Sequence, residues 1–254
     1  MNKLTLLNFF TVSRCFGCDE IFKLGREGNG VLCSECSANF ETEKQRTCAV
    51  CGLPASVCRC VPKNIRSAGC NTLIKIGFYD PDDTGTTERL ILNQKDYMNK
   101  RLSGFIADQL SVPLRAYLIN AEKDMSKVII TFAPRSRKAV NEKGFDQAEM
   151  LAKLCAKRLG CRFDKLIERT SKGKRQKELD STERMENAKQ SFELKTTDIP
   201  KKSTVVIIDD IVTTGASLSA CVAKLKSNGI EDIVCLTIAQ TNKNDHSITK
   251  KTKK

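Results

Sequence analysis

Two adjacent carboxylates, Asp209 and Asp210, stand between an apolar run at residues 205–208 and a hydroxyl-rich turn at residues 213–215. The run, Val-Val-Ile-Ile, is typical of a strand that is buried on both faces of a parallel sheet. A helix is expected after the turn, and its first backbone N–H groups and its dipole can bind a phosphate. Neighbouring carboxylates can accept hydrogen bonds from two adjacent sugar hydroxyls. The stretch therefore predicts a binding site for a sugar phosphate.

Cysteines form the second group of residues that could do chemistry. Eight of the 13 cysteines fall within the first 60 residues, where they form four close pairs. In an intracellular chain such pairs indicate a metal site more often than disulfides. A separation of two residues lets both thiolates of a pair face one ion, and tetrahedral zinc needs two pairs, usually in a structural role. The predicted zinc ligands are Cys15, Cys18, Cys33, Cys36, Cys48, Cys51, Cys58 and Cys60.

The sequence leaves some points about these cysteines open. It does not tell which pairs share an ion, so one or two zinc ions are compatible with it. Cys58 and Cys60 are separated by one residue instead of two, which makes them the weakest pair. Reduced cysteines without a metal are the alternative interpretation.

Other protein classes also place aspartates after a buried strand. ATPases do so to hold magnesium, but they need a run of the form G-x-x-x-x-G-K-[ST], which this sequence lacks. The dinucleotide fingerprint G-x-G-x-x-G is absent as well. A receiver domain has a phosphoacceptor aspartate at such a position, but the hydroxyl-rich turn has no role there. The sugar-phosphate interpretation is therefore favoured.

Strands and helices alternate after Ser67, which is typical of a parallel α/β sheet. The first 66 residues show no periodic segment of helix length, and the polar, basic residues 169–190 are predicted to be a solvated helix or a mobile loop. Helices are predicted over residues 86–97, 100–118, 146–159 and 216–228. Strands are predicted over residues 72–79, 128–132, 163–167, 205–208 and 233–238.

Length and charge restrict the function further. The 254 residues give room for one ordinary domain and something smaller. The formal net charge of +13, to which five lysines after residue 242 contribute, favours polyanions such as nucleic acid or a diphosphorylated sugar without choosing between them. No apolar run is long enough for a transmembrane helix. The apolar residues 1–12 lack a small-residue cleavage site, so we expect a cytoplasmic protein.

Residues 206–217 resemble the phosphoribosyl diphosphate (PRPP) motif of type I phosphoribosyltransferases. More narrowly, the chain resembles the ComF family of competence proteins over nearly all of residues 15–240. This narrower resemblance rests on the cysteine pairs, on residues 134–138 leading to residues 142–149, and on residues 176–179 with Glu183, Arg184 and Asn187. The sequence departs from the family pattern at Phe132, where a proline is usual, and at Asp146, where an asparagine is usual.

The resemblance implies an architecture. The expected fold class is an α/β, parallel-sheet domain of type I phosphoribosyltransferase type over residues 67–241. A small domain resembling a double zinc ribbon is expected over residues 1–66, and a basic disordered tail over residues 242–254. The segment around Arg175, Gln176 and Lys177 corresponds to a mobile flap over the site.

The resemblance also implies roles for individual residues. Asp209 and Asp210 would hold the ribose hydroxyls of PRPP and are the residues assigned to catalysis if turnover occurs. Magnesium would bridge the ligand's oxygens, because this hard cation prefers oxygen ligands. The 5-phosphate would be held by Thr213, Thr214, Gly215, Ala216 and Ser217, and the pyrophosphate would be faced by Ala133, Pro134, Arg135, Ser136 and Arg137.

The implied function is DNA uptake in natural transformation, with PRPP as the ligand. Single-stranded DNA, a DNA-uptake helicase and other competence proteins are the implied partners. Two alternatives stay open: a metabolic enzyme that transfers phosphoribose to a base or amine, and a PRPP-binding or nucleotide-binding sensor. The sequence contains no obvious catalytic base, since its sole histidine, His246, lies in the tail. This fits a reaction that depends on stabilising charge, and it fits a non-catalytic PRPP-binding protein equally well.

Overall fold

The structure is a computed structural model of the chain. It describes residues 13–22, 30–80, 82–96, 98–170, 191–195, 199–200 and 202–242. The predictions for residues 1–12, for most of the basic segment 169–190 and for the tail after Asn242 lie outside the described residues. No helix within the described part of the chain is long and apolar enough to cross a membrane.

A five-stranded parallel sheet forms the centre of the molecule. Its strands are β1 Leu73–Tyr79, β2 Val128–Phe132, β3 Arg162–Phe163, β6 Thr204–Val212 and β7 Asp232–Thr241, and their order in the sheet is β1-β7-β6-β2-β3. The strand β6 pairs with β2 on one side and with β7 on the other, which places the apolar run 205–208 in the middle of the sheet. This confirms the parallel α/β fold predicted from the sequence.

Helices cover both faces of the sheet. Alternate residues of β6 point to opposite faces, so Val206 and Ile208 pack in one apolar cluster and Val205 and Ile207 in another. The first apolar cluster contains the buried faces of the helices α4 (Lys100–Asn120) and α6 (Gln147–Leu159). The second apolar cluster contains those of α2 (Lys63–Ser67) and α7 (Ala216–Lys226). The helices are α1 Ser34–Glu43, α2 Lys63–Ser67, α3 Thr86–Asp96, α4 Lys100–Asn120, α5 Arg137–Lys143, α6 Gln147–Leu159 and α7 Ala216–Lys226, with a short 3-10 turn at Met125–Lys127.

A small antiparallel pair lies outside the main sheet. Its strands are β4 Ile167–Arg169 and β5 Phe192–Leu194. The single strand predicted over residues 163–167 is therefore wrong. The chain leaves the main sheet after Phe163, where the Asp164 backbone N–H donates to the Ile130 carbonyl oxygen at 3.1 Å, and pairs again only at Ile167.

The N-terminal region contains helices that the sequence did not predict. The helix α1 starts at the Cys33 side chain, which accepts a hydrogen bond from the Cys36 backbone N–H. Only two of its residues, Cys36 and Phe40, are buried, so its sequence has few apolar residues at helical spacing. The helix forms without a periodic apolar pattern, because α1 buries its few apolar residues against the α/β sheet domain rather than in a core of its own.

The described part of the cysteine-rich region, residues 13–22 and 30–66, packs on the rest of the protein. Its residues Leu32 and Phe40 belong to the same apolar cluster as α4 and α6. The Glu43 carboxylate accepts hydrogen bonds from the backbone N–H groups of Thr86 at 2.8 Å and Thr87 at 2.7 Å, and so caps the start of α3. The described residues of this region therefore share a core with the α/β part, while the domain bounds given above stay predictions.

Candidate functional site

The strand β6 extends beyond its neighbour β2. The last registered pair between them joins Phe132 to Ile208, whereas pairing with β7 continues through Val212, opposite Gln240. Asp209 and Asp210 thus lie within the strand rather than after it. Their β2 side is open, which forms a crevice at the carboxyl end of the sheet, where ligands bind in open α/β folds.

Two cations face Asp210 from different parts of the chain. The Arg135 guanidinium donates to the Asp210 Oδ2 at 2.8 Å, and the Lys95 Nζ lies 3.7 Å from the same oxygen. The other oxygen, Oδ1, accepts from the Ile211 backbone N–H at 2.7 Å. The structure therefore brings together Arg135 and Asp210, two of the predicted site residues, and adds Lys95, which the sequence did not indicate.

Asp209 lies in a different electrostatic environment. Its Oδ1 accepts from the Asp210 backbone N–H at 2.9 Å, and it forms no ion pair with any residue that the structure describes. Burial raises the pKa of the Asp209 carboxyl well above its usual value, and the neighbouring charge of Asp210 raises it further. Asp210 is thus neutralised by nearby cations, whereas Asp209 has no ion-pair partner among the described residues.

The turn after β6 leads into the N-terminus of α7. Gly215 has a φ of +75° and no side-chain hydrogen bond caps the helix at this position in the described part of the chain. Thr213, Thr214 and Ser217 are exposed around it. Since the first N–H groups of a helix have no partner within the helix, they are available to an anion at this point.

The helix α2 supports this turn from below. The Asn64 side-chain amide donates to the Thr214 carbonyl oxygen at 3.0 Å. A Cβ atom on Gly215 would lie 2.8 Å from the Cγ1 of Ile65, and Ile65 is fully buried. Gly215 is therefore required both by its φ and by the close approach of α2. The sequence carried no local signal for this contact, because α2 is short and distant along the chain.

The predicted pyrophosphate loop, residues 133–137, continues from β2. The Ala133 backbone N–H donates to the Ile208 carbonyl oxygen at 2.9 Å, and the Ser136 hydroxyl accepts from the Ala139 backbone N–H at 3.2 Å and so caps α5. Pro134 and the exposed Arg137 lie on the wall of a neighbouring cavity. The Ser136 oxygen is thus already used by its own helix.

Asp146 connects this loop to α6. Its Oδ2 accepts from the Arg135 backbone N–H at 2.9 Å, and its Oδ1 accepts from the backbone N–H groups of Ala148 at 3.0 Å and Glu149 at 3.3 Å. Burial raises the pKa of the Asp146 carboxyl. All these partners are donors, so an aspartate fits the position and holds the loop beside α6.

A cavity of about 620 Å³ lies between the 133–137 loop, the helices α5 and α6, and the β4–β5 pair. Arg135 lines this cavity and also contacts Asp210, and so links the cavity to the aspartate pair. The sequence did not indicate this cavity, because its outer wall depends on the short pair β4–β5. Its charged lining residues are Arg135, Arg137, Lys153, Lys165, Arg169 and Lys195, with Asp146, Glu149 and Glu168.

The eight N-terminal cysteines come together as two compact groups. The first cluster consists of Cys15, Cys18, Cys33 and Cys36, and the second of Cys48, Cys51, Cys58 and Cys60. Within each cluster the four Sγ atoms lie within 4.8 Å of one another. The pairs therefore combine in sequence order, and Cys60 completes the second cluster despite its one-residue spacing.

The geometry of both clusters fits a metal ion. The Sγ atoms of Cys18 and Cys33 are 3.8 Å apart, and those of Cys51 and Cys58 are 3.6 Å apart. A tetrahedral zinc ion with Zn–S bonds of about 2.3 Å requires sulfur atoms about 3.8 Å apart. A Cβ atom on Gly17 would lie 2.6 Å from the Cys36 Sγ, so only glycine fits beside that sulfur. Each cluster could hold one metal ion.

Backbone N–H groups point at several of these sulfur atoms. The Cys15 Sγ accepts from Gly17 at 3.3 Å and from Cys33 at 3.2 Å. Burial by itself would raise the pKa of the Cys15 thiol, but these hydrogen bonds outweigh it and lower the pKa to about 7. In the second cluster, the Cys58 Sγ accepts from the Cys60 N–H at 3.4 Å, and burial outweighs this hydrogen bond and raises the pKa of the Cys58 thiol. The donors favour the thiolate, which is the form that binds metal.

A buried lysine lies beside the second cluster. Lys75 on β1 is only 2% exposed, its Nζ donates to the Cys60 carbonyl oxygen at 3.2 Å, and it lies 5.8 Å from the centre of the Phe78 ring. A buried cation needs a compensating negative charge, and a cluster of thiolates supplies one. The sequence placed Lys75 in a strand without indicating this role.

Comparison with known protein families agrees with this fold. Residues 146–254 match the family model described as phosphoribosyl transferase domain. The match begins at the Asp146 cap of α6 and includes the aspartate pair, the turn after β6 and α7. The architecture is thus a parallel-sheet α/β fold of phosphoribosyltransferase type, and a domain of this class occupies the C-terminal part of the chain. No curated protein matches the chain.

Three solved structures are similar to parts of the chain. One is described as the allosteric regulatory enzyme of purine biosynthesis, with 12% identity, a TM-score of 0.36, and coverage of 58% of this chain but only 30% of that one. An adenine phosphoribosyltransferase has 19% identity and a TM-score of 0.34, covering 57% and 72% of the two chains. A purine phosphoribosyltransferase from Pyrococcus horikoshii Ot3 has 17% identity and a TM-score of 0.33, covering 58% and 87%.

Proposed function

We propose that the protein binds PRPP together with magnesium at the carboxyl end of β6. The observation that carries this proposal is the open crevice where β6 outruns β2. It places Asp209 and Asp210 next to the uncapped start of α7 and to Arg135. One ligand that uses all three features is a sugar with neighbouring hydroxyls, a phosphate at one end and a pyrophosphate at the other.

Each part of the site has a separate task in this proposal. Asp209 and Asp210 accept hydrogen bonds from the ribose hydroxyls, and residues 213–217 hold the 5-phosphate through backbone N–H groups and hydroxyls. The 133–137 loop meets the pyrophosphate. The ribose hydroxyls take the place of Arg135 at Asp210, which frees the guanidinium to pair with the pyrophosphate.

The carboxylate oxygens of Asp209 and Asp210 suit magnesium, which prefers oxygen ligands. When bound, the ion neutralises charge on the pyrophosphate. If the protein turns over, these two aspartates are the catalytic residues, because they hold the ribose while positive charge develops at its C1 atom. The cavity walls exclude water from that atom.

The two cysteine clusters each bind one structural zinc ion in this proposal. The distances between their sulfur atoms and the N–H donors around Cys15 and Cys58 support it. All four positions of each ion are filled by cysteine, which leaves no open position for catalysis. The clusters therefore maintain the fold of the region that carries them.

The wider role that we propose is that of a ComF-like cytoplasmic protein of DNA uptake, with single-stranded DNA, a DNA-uptake helicase and other competence proteins as partners. The combination of paired cysteine clusters with a PRPP motif in one chain supports it, as does the net charge of +13. A mobility assay with single strands across a salt series tests it. Absence of binding at low salt contradicts the DNA part of the proposal.

A second candidate is a metabolic phosphoribosyltransferase acting on a base or amine. The cavity of about 620 Å³ next to Asp210 favours it, because that volume is in the range of small-molecule sites. A screen for pyrophosphate release from PRPP across bases and amines distinguishes the two roles. Release that depends on one acceptor supports the enzyme, and binding of PRPP without release supports the non-catalytic role.

Calorimetry with PRPP and magnesium tests the site itself. We expect binding to the wild-type protein and none to the variant carrying both Asp209→Asn and Asp210→Asn. Asp108→Asn is the matched control, because this aspartate pairs with Arg158 on the helical surface. Unchanged affinity in the double variant would remove the aspartates from the site.

A further inference from the structure

We propose that the cavity beside Asp210 binds a planar acceptor that carries a negative charge, of the class of aromatic or heteroaromatic carboxylates with a nucleophilic nitrogen. This inference rests on the proposed function, because it names the class of the second substrate at the same site. It is carried by the cavity's charge, by its apolar surface and by one guanidinium held over an aromatic ring.

The position of the cavity makes it a place for the acceptor. Arg135 is part of its wall and donates to the Asp210 carboxylate at 2.8 Å. Arg135 therefore connects the cavity to one of the two carboxylates that would hold the ribose. A nucleophilic nitrogen at its inner end could reach the sugar's C1 atom from there.

The charges of the cavity wall do not cancel. Six cations and three carboxylates line it, a balance of 6 − 3 = +3. Glu149 is shared between Lys153 at 2.6 Å and Lys165 at 2.8 Å, and Asp146 is occupied by backbone N–H groups. Arg137, Arg169 and Lys195 have no carboxylate within ion-pair distance among the residues that the structure describes. An anionic ligand would balance them.

The cations of the lining come from two parts of the chain, which separates two roles. Arg135 and Arg137 belong to the loop that we assign to pyrophosphate. Arg169 and Lys195 belong to the β4–β5 pair and the residue that follows it. Pyrophosphate held by the loop leaves the charge of Arg169 and Lys195 unbalanced. These two cations are therefore available to a negative group on the acceptor.

Apolar side chains complete the cavity and favour a flat ligand. Phe132, Phe145, Met150 and Ile167 contribute to its lining. A free phosphate would leave this surface without a partner, whereas an aromatic ring would cover it. The combination of apolar surface with a few charged groups is typical of sites for small organic molecules.

Arg169 has the geometry for recognising a carboxylate. Its guanidinium lies 5.3 Å from the centre of the Phe192 ring, and Phe192 is buried. A guanidinium held over a ring is oriented before the ligand arrives, and its planar shape matches the two oxygens of a carboxylate. An uncharged base would bury Arg169 without an anion and would therefore bind less tightly.

The transfer itself balances without a further reactant. The nitrogen lone pair of the acceptor forms the N–C1 bond while the C1–O bond to pyrophosphate breaks. The electron pair of that bond leaves with the pyrophosphate. If the nitrogen carries a hydrogen, its proton goes to a pyrophosphate oxygen or to water.

The test compares matched pairs of acceptors that differ in one carboxylate. Orotate and uracil, nicotinate and nicotinamide, and anthranilate and aniline are each given to the full chain with PRPP and magnesium. Pyrophosphate release and calorimetric binding are measured. We expect the carboxylate member of at least one pair to bind or react about tenfold better than its partner, because a hydrogen bond to a charged group contributes more than a neutral one.

Two variants locate the effect. Arg169→Gln should remove the preference for the carboxylate while leaving the affinity for PRPP unchanged, and Lys157→Gln, an exposed lysine of α6 outside the cavity, should change neither. Equal binding of both members of every pair, or an unchanged preference in Arg169→Gln, overturns the inference.

The carboxylates are also measured without PRPP, so that the two proposals can fail separately. Failure of PRPP to bind contradicts the proposed function alone. A carboxylate preference that is seen without PRPP and that disappears in Arg169→Gln supports the cavity assignment even then.

Discussion

The cysteine clusters and the aspartate pair both gather groups of the same charge at short range, but they differ in what surrounds those groups. Each cluster is closed, since four Sγ atoms lie within 4.8 Å of one another and backbone N–H groups point at the sulfur atoms. The aspartate pair is open on the side where β2 has ended, and Asp209 forms no ion pair with a residue that the structure describes. In the closed site one bound ion balances the charge of the thiolates, whereas the open site has room for a larger ligand.

The cysteine clusters are therefore expected to stabilise the fold when they bind metal. The aspartate pair is expected to destabilise the fold in the absence of its ligand. Thiolates around a metal add to the free energy of unfolding. Two carboxylates at the end of a buried strand reduce it, because their charges repel each other and one of them is desolvated. Such a cost is typical of binding sites. Metal removal and Asp209→Asn test whether the two regions contribute to stability with opposite signs, and substitutions of Lys75 and Asn64 test how neighbouring residues support each site.

Removal of metal should have the largest effect. We expect about two zinc ions per chain, and a chelator should abolish cooperative thermal unfolding of the N-terminal region, because a structural zinc site supplies about 10 kcal/mol or more of folding free energy. The first cysteine cluster is part of the apolar core that also contains α4 and α6. The loss of structure should therefore extend into the α/β part. Metal analysis and circular dichroism measure both.

The control for this experiment is Cys161→Ser, since Cys161 belongs to neither cluster. This variant should retain the zinc content and the melting curve of the wild type. Fewer than one zinc ion per chain in the purified protein would contradict the role given to the clusters.

Asp209→Asn should act in the opposite direction on stability. The raised pKa of Asp209 means that the folded state disfavours the carboxylate, so its contribution to stability falls as the pH rises above the usual value of 3.8. The variant lacks this loss at neutral pH. We expect the ligand-free melting temperature to rise by about 2–4 °C, equivalent to about 1 kcal/mol, while PRPP binding is lost.

Thermal melts at several pH values measure this effect. The gap between the wild type and Asp209→Asn should widen from acidic to neutral pH, and Asp108→Asn, on the helical surface, should not reproduce it. A variant that melts lower than the wild type at neutral pH would show that the aspartate stabilises the ligand-free fold after all.

Lys75→Met should weaken metal binding at the second cluster only. The change removes a buried cation whose Nζ lies 3.2 Å from the Cys60 carbonyl oxygen, and groups in contact with metal ligands typically change affinity about 10–100-fold. Transfer of zinc to a chromogenic chelator should show one faster phase and one unchanged phase. Lys157→Met is the exposed control, and identical kinetics in both variants would remove the charge-balancing role.

Asn64→Ala should have the smallest effect. It removes one hydrogen bond to the Thr214 carbonyl oxygen, which corresponds to about fivefold weaker PRPP binding. Zinc content should be unchanged. Asn228→Ala is the matched control, because Asn228 bonds to the Lys224 carbonyl oxygen at the far end of α7. Equal PRPP affinity in the two variants would separate α2 from the phosphate turn.

Local sequence predicted the parts of the molecule that depend on local patterns. The strands β2 and β6 are runs of β-branched and aromatic residues, and the fully buried run 205–208 is confirmed at the centre of the sheet. The crevice could not be predicted in the same way, because it arises from a difference in length between two strands. The pairing of Arg135 with Asp210 joins residues that are 75 positions apart.

The missed elements lacked a pattern of their own. The helix α1 buries only Cys36 and Phe40, too few for a helical period. The strands β4 and β5 have three residues each and gain their stability from packing beside the main sheet. The sequence could not show which cysteine pairs share an ion. This depends on the path of the folded chain, whereas the spacing within each pair is the same for every combination.

The helix α3 connects the cysteine-rich region to the aspartate pair and is held at both ends. Eleven residues make α3 about 16 Å long. Its first turn is held by Glu43 from the cysteine-rich region, and near its last turn Lys95 approaches Asp210 at 3.7 Å. At the same end the Gln147 side chain donates to the Lys95 carbonyl oxygen at 2.7 Å. The distance between the Lys95 cation and the Asp210 carboxylate therefore depends on the positions of both α1 and α6.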